Sequence, residues 1–190
     1  MSYLKERIKH AVRFRHKRGF GVHSPFMFHL ILNVIRDKEK RFTYPEGLEK
    51  RKELKTREKK VFRLLSRLIR HFKVNRICCL GLHAQLLSNY LEQSYPMATF
   101  RSNSAADLGE ADFVYIGRKA DDFFPEEQIK KALETHDIKY IIIADIHKNS
   151  LNARLWRCYR EYATVAVDMM WCGLFVFDDK VQPGRYNLII

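Results

Sequence analysis

The stretch Arg76 to Gln93, RICCLGLHAQLLSNYLEQ, constrains the fold more than any other part of the chain. A short apolar run, Ile77, Cys78, Cys79 and Leu80, stops at Gly81, and Leu86, Leu87, Tyr90 and Leu91 then recur at helical spacing. That pattern predicts a buried strand, a glycine turn and a helix. In open α/β sheets, nucleotide-like ligands sit in the crevice beyond the carboxyl end of such a strand, because the following helix aims its free amides and its dipole there. A glycine-rich loop lets backbone approach the ligand, whereas Gly81 is followed by Leu82, His83, Ala84 and Gln85.

The remaining elements follow from the same periodicities. Val61, Leu64, Leu65, Leu68, Ile69 and Phe72 form a helical stripe with Arg63, Arg67 and Arg70 on the opposite face. Residues 98–102 and 111–116 read as short strands, and Pro125-Glu126-Glu127 opens a helix with acids in its first turn. Tyr140 to Ala144, YIIIA, is the most apolar run, as a central parallel strand covered on both faces would be. A helix capped by Ser150 follows. Residues 164–177 then alternate, turn and return as an antiparallel hairpin.

Upstream, Leu4, Ile8, Ala11 and Val12 share one face of a basic amphipathic helix expected to end near Gly19. Ser24 caps and Pro25 opens a second, strongly apolar helix. His23 and His29 have no carboxylate or cysteine partner at matching spacing and read as structural. Residues 37–60 read as a charged linker, partly helical from about Leu48, which divides the chain into a basic helical extension with its linker (1–60) and an α/β domain (61–190).

Charge sharpens this division. Residues 1–76 hold 23 Lys and Arg against 7 Asp and Glu, a net +16, while residues 77–190 hold 12 against 15, a net −3. The excess suits a polyanion, nucleic acid or an anionic membrane face, engaged through residues 1–20, with Arg13, Arg15, Lys17 and Arg18 as its densest cluster. No run is long enough to span a bilayer and the first residues are too polar for a secretory signal, so the expected compartment is cytoplasmic. Cys78, Cys79, Cys158 and Cys172 show no metal-ligand spacing and read as reduced, packed thiols.

Two strings carry a family resemblance: His23-Ser24-Pro25-Phe26, and ADIHKNSLNARLWRCYREYATVAVDMMWCGLFVF over residues 144–177, with a DIH strand ending, a Trp-bearing helix and a TVxxDxxxxG hairpin. The chain resembles bacterial class I S-adenosylmethionine (SAM) dependent methyltransferase-like proteins that carry an N-terminal HSPF helical extension. The resemblance implies a Rossmann-like, mostly parallel sheet with helices on both faces and a reversed last strand, and SAM over the end of the first strand. The family's E-x-G-x-x-x-G motif falls on Cys79, Gly81 and Gln85, so Gly81 alone keeps its residue. The acid that holds the ribose is replaced near Arg101 and Ser102, a loss of about 1.5 to 3 kcal/mol of charge-assisted bonding. Some relatives bind a divalent metal through acids after the fourth and fifth strands. Here the first is Gly117 and only Asp145 remains, so no metal is expected.

The candidate cofactor residues are therefore Gly81, His83, Asn103 and Asp107, and Asp145 and His147 are the candidate catalytic residues beside a substrate. The leading expectation is a methyltransferase-fold protein with a degenerate SAM site, retained as a non-catalytic binding or scaffolding module. An active SAM-dependent methyltransferase with a divergent pocket is the alternative. A basic module for RNA or an anionic membrane could coexist with either.

Overall fold

The computed structural model describes residues 3–12, 22–36, 41–104, 106–135, 138–148 and 151–188. Its helices are α1 (Tyr3–Val12), α2 (Pro25–His29, continued by a wider π-helical turn over Leu30–Ile35), α3 (Glu46–Glu49), α4 (Thr56–Phe72), α5 (Ala84–Ser94), α6 (Glu126–Thr135) and α7 (Leu151–Tyr159). The strands are β1 (Arg76–Leu80), β2 (Thr99–Ser102), β3 (Phe113–Ile116), β4 (Tyr140–Ala144), β5 (Val165–Asp168), β6 (Cys172–Val176) and β7 (Gly184–Asn187).

These strands form one mixed sheet in the order β2-β1-β3-β4-β6-β5-β7. β1 pairs in parallel with β2 and β3, and β3 with β4. β6 runs antiparallel to both β4 and β5, while β7 joins β5 in parallel, so β6 alone is reversed. The expected α/β class and the mostly parallel sheet with an antiparallel hairpin are both present, but the reversed strand is β6 and not the last strand, because β7 follows it and pairs in parallel with β5. β7 extends the sheet beyond what periodicity suggested.

Alternation along each strand separates two apolar layers. Ile77, Cys79, Phe113, Tyr115, Ile142 and Val167 face the layer built by α2, α4 and α5. Cys78, Val114, Ile116, Ile141, Ile143 and Phe175 face the layer built by α6 and α7. The adjacent Cys78 and Cys79 thus point opposite ways, and all four cysteines are free thiols. Burial pushes the Cys79 and Cys172 thiols up to about 12, which keeps them protonated at neutral pH.

The upstream segment shares this core. Ser24 accepts a hydrogen bond from the Met27 amide (3.4 Å), and Met27, Leu30, Ile31, Val34 and Ile35 are buried with the strands. α4 begins at Thr56, five residues before the apolar stripe, because the Glu58 carboxylate reaches back to the Lys55 amide (3.0 Å). Lys73, in a left-handed conformation (φ 51°), closes it.

The arginines opposite the stripe act as clamps. Arg63 grips the Glu49 carboxylate through Nε (2.7 Å) and Nη2 (2.5 Å). Arg67 donates to the carbonyls of Val34 (2.6 Å) and Ile35 (3.1 Å), which lie at the end of the π-helical turn, and to the Tyr44 hydroxyl (2.8 Å). Arg70 donates to the Ser94 carbonyl. Among the described residues, no helix is long and apolar enough to cross a membrane.

Candidate functional site

The carboxyl ends of β1, β3 and β4 lie side by side, and the first turns of α4 cover them. Between them is a pocket of about 220 Å³, lined by Lys55, Arg57, Glu58, Val61 and Phe62 from the start of α4, Leu82 and His83 after β1, Tyr115 and Arg118 around the end of β3, Ala144 and Asp145 at the end of β4, and Trp171.

Gly81 stands at the head of this arrangement with φ +99°, a conformation that side-chained residues rarely adopt. A Cβ there would lie 2.6 Å from the Arg118 carbonyl oxygen and 3.1 Å from the Gly117 carbonyl carbon. The close approach that requires glycine is made by the protein's own loop after β3. The Leu82 amide completes it by donating to the Arg118 carbonyl (2.7 Å). Gly117 answers from the other side, where a Cβ would lie 2.8 Å from the Leu80 carbonyl oxygen. Asn103, itself left-handed (φ 48°), folds its amide onto the same turn. Its Oδ1 accepts from the Gly81 amide (2.8 Å) and its Nδ2 donates to the Gly81 carbonyl (3.4 Å).

Other polar groups near the first crevice are likewise bonded internally. Ser102 donates to Gln85 Oε1 (2.5 Å), and Gln85 Nε2 donates to Asn89 (2.9 Å). His83 occupies the N-cap position of α5 with φ 65° and lines the pocket. Asp107 falls in a short 3-10 turn over Ala106–Glu110, beyond the end of β2.

The two catalytic candidates have different partners. Asp145 is 6% exposed, left-handed (φ 54°), and turned toward cations. Its Oδ1 accepts from Arg57 Nη2, its Oδ2 accepts from Lys148 Nζ (3.1 Å), and Arg118 Nε lies 3.9 Å away. Arg118 also pairs with Glu58, so two ion pairs bolt the start of α4 onto the strand ends. The Arg57 guanidinium lies 5.6 Å, and Lys60 Nζ 5.1 Å, from the centre of the Trp171 ring, which is within cation–π range. His147 does not line the pocket. Its Nε2 lies 2.8 Å from Asp168 Oδ2, while Asp168 Oδ1 accepts from the Met170 amide (2.9 Å). This pair ties the turn after β4 to the hairpin.

Burial raises the Tyr115 phenol, with Cys172, Cys79 and Asp145 nearby adding to the effect, so Tyr115 enters the pocket as a neutral hydroxyl. Among the described residues, no group of three His, Cys, Asp or Glu is placed to hold a metal ion. Arg13, Arg15, Lys17 and Arg18 lie outside the described residues, as does Ser150.

Sequence reasoning missed Arg57, Glu58, Arg118, Trp171 and Asn152. Arg57 and Glu58 sit in the stretch read as linker, and Arg57 is 88 residues from its carboxylate partner, a separation with no local signal. Arg118 directly follows Gly117 at a strand end, a position where a charge could have been noticed. Asn152 is buried and its Nδ2 donates to the carbonyls of Gly117 (2.8 Å), Ala144 (2.8 Å) and Ile116 (3.4 Å), pinning β3 to β4 at the rim of the site. No family model, no curated protein and no solved structure matches the chain.

Proposed function

We propose that this protein is a methyltransferase-fold binding or scaffolding module whose adenosyl crevice is closed by its own atoms, and that it does not catalyse methyl transfer. The observation that carries this reading is the state of Gly81: its amide bonds to Asn103 and its open side faces the Arg118 carbonyl. A cofactor held over β1 would need that amide and that space. The fold half of the proposal is supported by the sheet order, in which the single reversed strand β6 lies between β4 and β5, an arrangement in keeping with the resemblance.

The remaining pocket offers little to an adenosyl ligand. Its volume of about 220 Å³ is below the roughly 300–1,000 Å³ usual for drug-sized ligands. Its floor carries Asp145 already engaged by Arg57 and Lys148. Opening it for a nucleoside would break the Arg57–Asp145 and Arg118–Glu58 pairs and leave Asp145 buried with fewer cations, which is costly.

Calorimetric titration of the full chain with SAM and with S-adenosylhomocysteine tests the reading. The expected result is no saturable heat with either ligand up to about 1 mM, the regime of affinities near 4 kcal/mol. Saturable binding in the micromolar range, lost on Asn103 substitution, would overturn it and make the chain a candidate catalyst.

A further inference from the structure

α1 spans ten residues, Tyr3–Val12, and presents an aliphatic stripe that the body of the protein leaves uncovered: Leu4 is 62% exposed, Ile8 56%, and Ala11 is exposed one turn on. Lys5 and Arg7, beside that stripe, are exposed as well. An isolated helix shorter than about 12–15 residues is marginal in water, and its stability in a protein comes from covering its apolar face. The stripe of α1 therefore calls for a counter-surface.

Charge identifies that surface. Residues 1–20 contain seven Lys and Arg against one Glu, so the counter-surface must offer negative charge and an apolar layer together. An anionic lipid bilayer does: the aliphatic stripe sinks to the boundary between headgroups and acyl chains while lysine and arginine side chains reach the lipid phosphates. RNA supplies phosphates but nothing to receive aliphatic side chains, since its bases stack on aromatic or guanidinium planes. We infer that α1 is an interfacial helix that docks this protein on an anionic membrane surface through Leu4, Ile8 and Ala11, with Lys5 and Arg7 on lipid phosphates. The inference is independent of whether the adenosyl crevice is closed. It also agrees with the lack, among the described residues, of any helix able to cross a bilayer, because the helix lies on the membrane rather than through it.

The test is co-sedimentation of the full chain with vesicles of phosphatidylcholine and phosphatidylglycerol in equal parts, compared with pure phosphatidylcholine, alongside a mixed-sequence single-stranded RNA at the same ionic strength. Binding to the anionic vesicles alone, weakening as salt is raised, is expected. L4S/I8S should lose about tenfold or more in affinity for each side chain replaced, and K5Q/R7Q about fivefold for each charge removed. Because these side chains are exposed, both variants should melt at the wild-type temperature, which separates lost docking from lost folding. The inference is overturned by an absence of anionic-vesicle binding, by undiminished binding of L4S/I8S, by a lowered melting temperature in that variant, or by tighter binding to the RNA than to the vesicles.

Discussion

Replacing Gly81 by alanine separates a glycine kept for a ligand from one kept for the fold. At φ +99° an L-residue meets its own carbonyl, a penalty of about 1–2 kcal/mol. The added Cβ would also sit 2.6 Å from the Arg118 oxygen and 3.1 Å from the Gly117 carbon, both backbone atoms that cannot swing aside. Moving that loop strains the Leu82–Arg118 hydrogen bond and the Asn103 brace, an overpacking cost of about 1–3 kcal/mol. The two effects together give about 2–5 kcal/mol. At this chain length each kcal/mol moves the melting temperature by about 2–4 °C, so G81A should melt about 4–20 °C below wild type.

The assay is thermal unfolding followed by circular dichroism, with no ligand added. Gly47 supplies the control. It lies within α3, a Cβ there meets nothing within 4 Å, and its backbone has no positive φ. G47A should therefore be neutral or stabilising by up to about 1 kcal/mol, since alanine is the better helix former. A G81A variant that melts less than about 4 °C below wild type, no more than the backbone φ penalty alone would cost, would refute the argument that Gly81 is filled by the protein's own backbone, because a glycine whose open side is reserved for a ligand still bears that φ penalty but meets no atom while the ligand is absent.

Two further outcomes follow from other contacts. Asn152→Asp turns a buried donor facing three carbonyls into an acceptor, and it should lower the urea midpoint by the equivalent of about 2 kcal/mol or more; an unchanged midpoint would mean that the rim of the site does not depend on that brace. Burial, and then the stacked His29 ring at 5.4 Å, hold the His71 pKa below its ordinary 6.5. The unfolded chain therefore takes up a proton that the folded one refuses, and stability should fall as pH drops through 6.5 toward the folded-state pKa; His71→Gln should flatten that slope in urea titrations, and an identical slope would remove the account.

The resembling strings prove legible as packing rather than chemistry. In the DIH ending, His147 meets Asp168 from the TVxxD segment, a contact across 21 residues that neither string announces alone. The Trp-bearing helix and the hairpin glycine are one feature. Trp156 stacks on Phe175 at 4.6 Å, and a Cβ on Gly173 would lie 2.2 Å from the indole, so only glycine lets that ring lie flat. β1, β3 and β4 were readable because strands buried on both faces have to be apolar throughout. β7 was not, since Gly184, Arg185, Tyr186 and Asn187 form a half-buried edge held by backbone pairing to β5, which leaves no apolar period.

The strongest sequence signal, the +16 of residues 1–76, changes meaning once partners are assigned. Arg57 faces Asp145, Arg63 grips Glu49, Arg67 and Arg70 hold carbonyls of neighbouring segments, and Arg76 pairs with Asp112 at 3.0 Å. These guanidiniums tie the α2 turn, α3 and α5 to α4, α4 to the end of β4, and β1 to the residue before β3, and arginine suits that task because one planar fork satisfies two acceptors. A polyanion drawn to this region would compete with bonds that hold the body together. The basic charge that escapes this competition among the described residues includes Lys5 and Arg7 on α1, beside the uncovered Leu4 and Ile8. A count of charges along the sequence therefore overstates the binding surface, and Lys5 and Arg7 beside the aliphatic stripe are among the cations left exposed, as are Arg51 and Lys52.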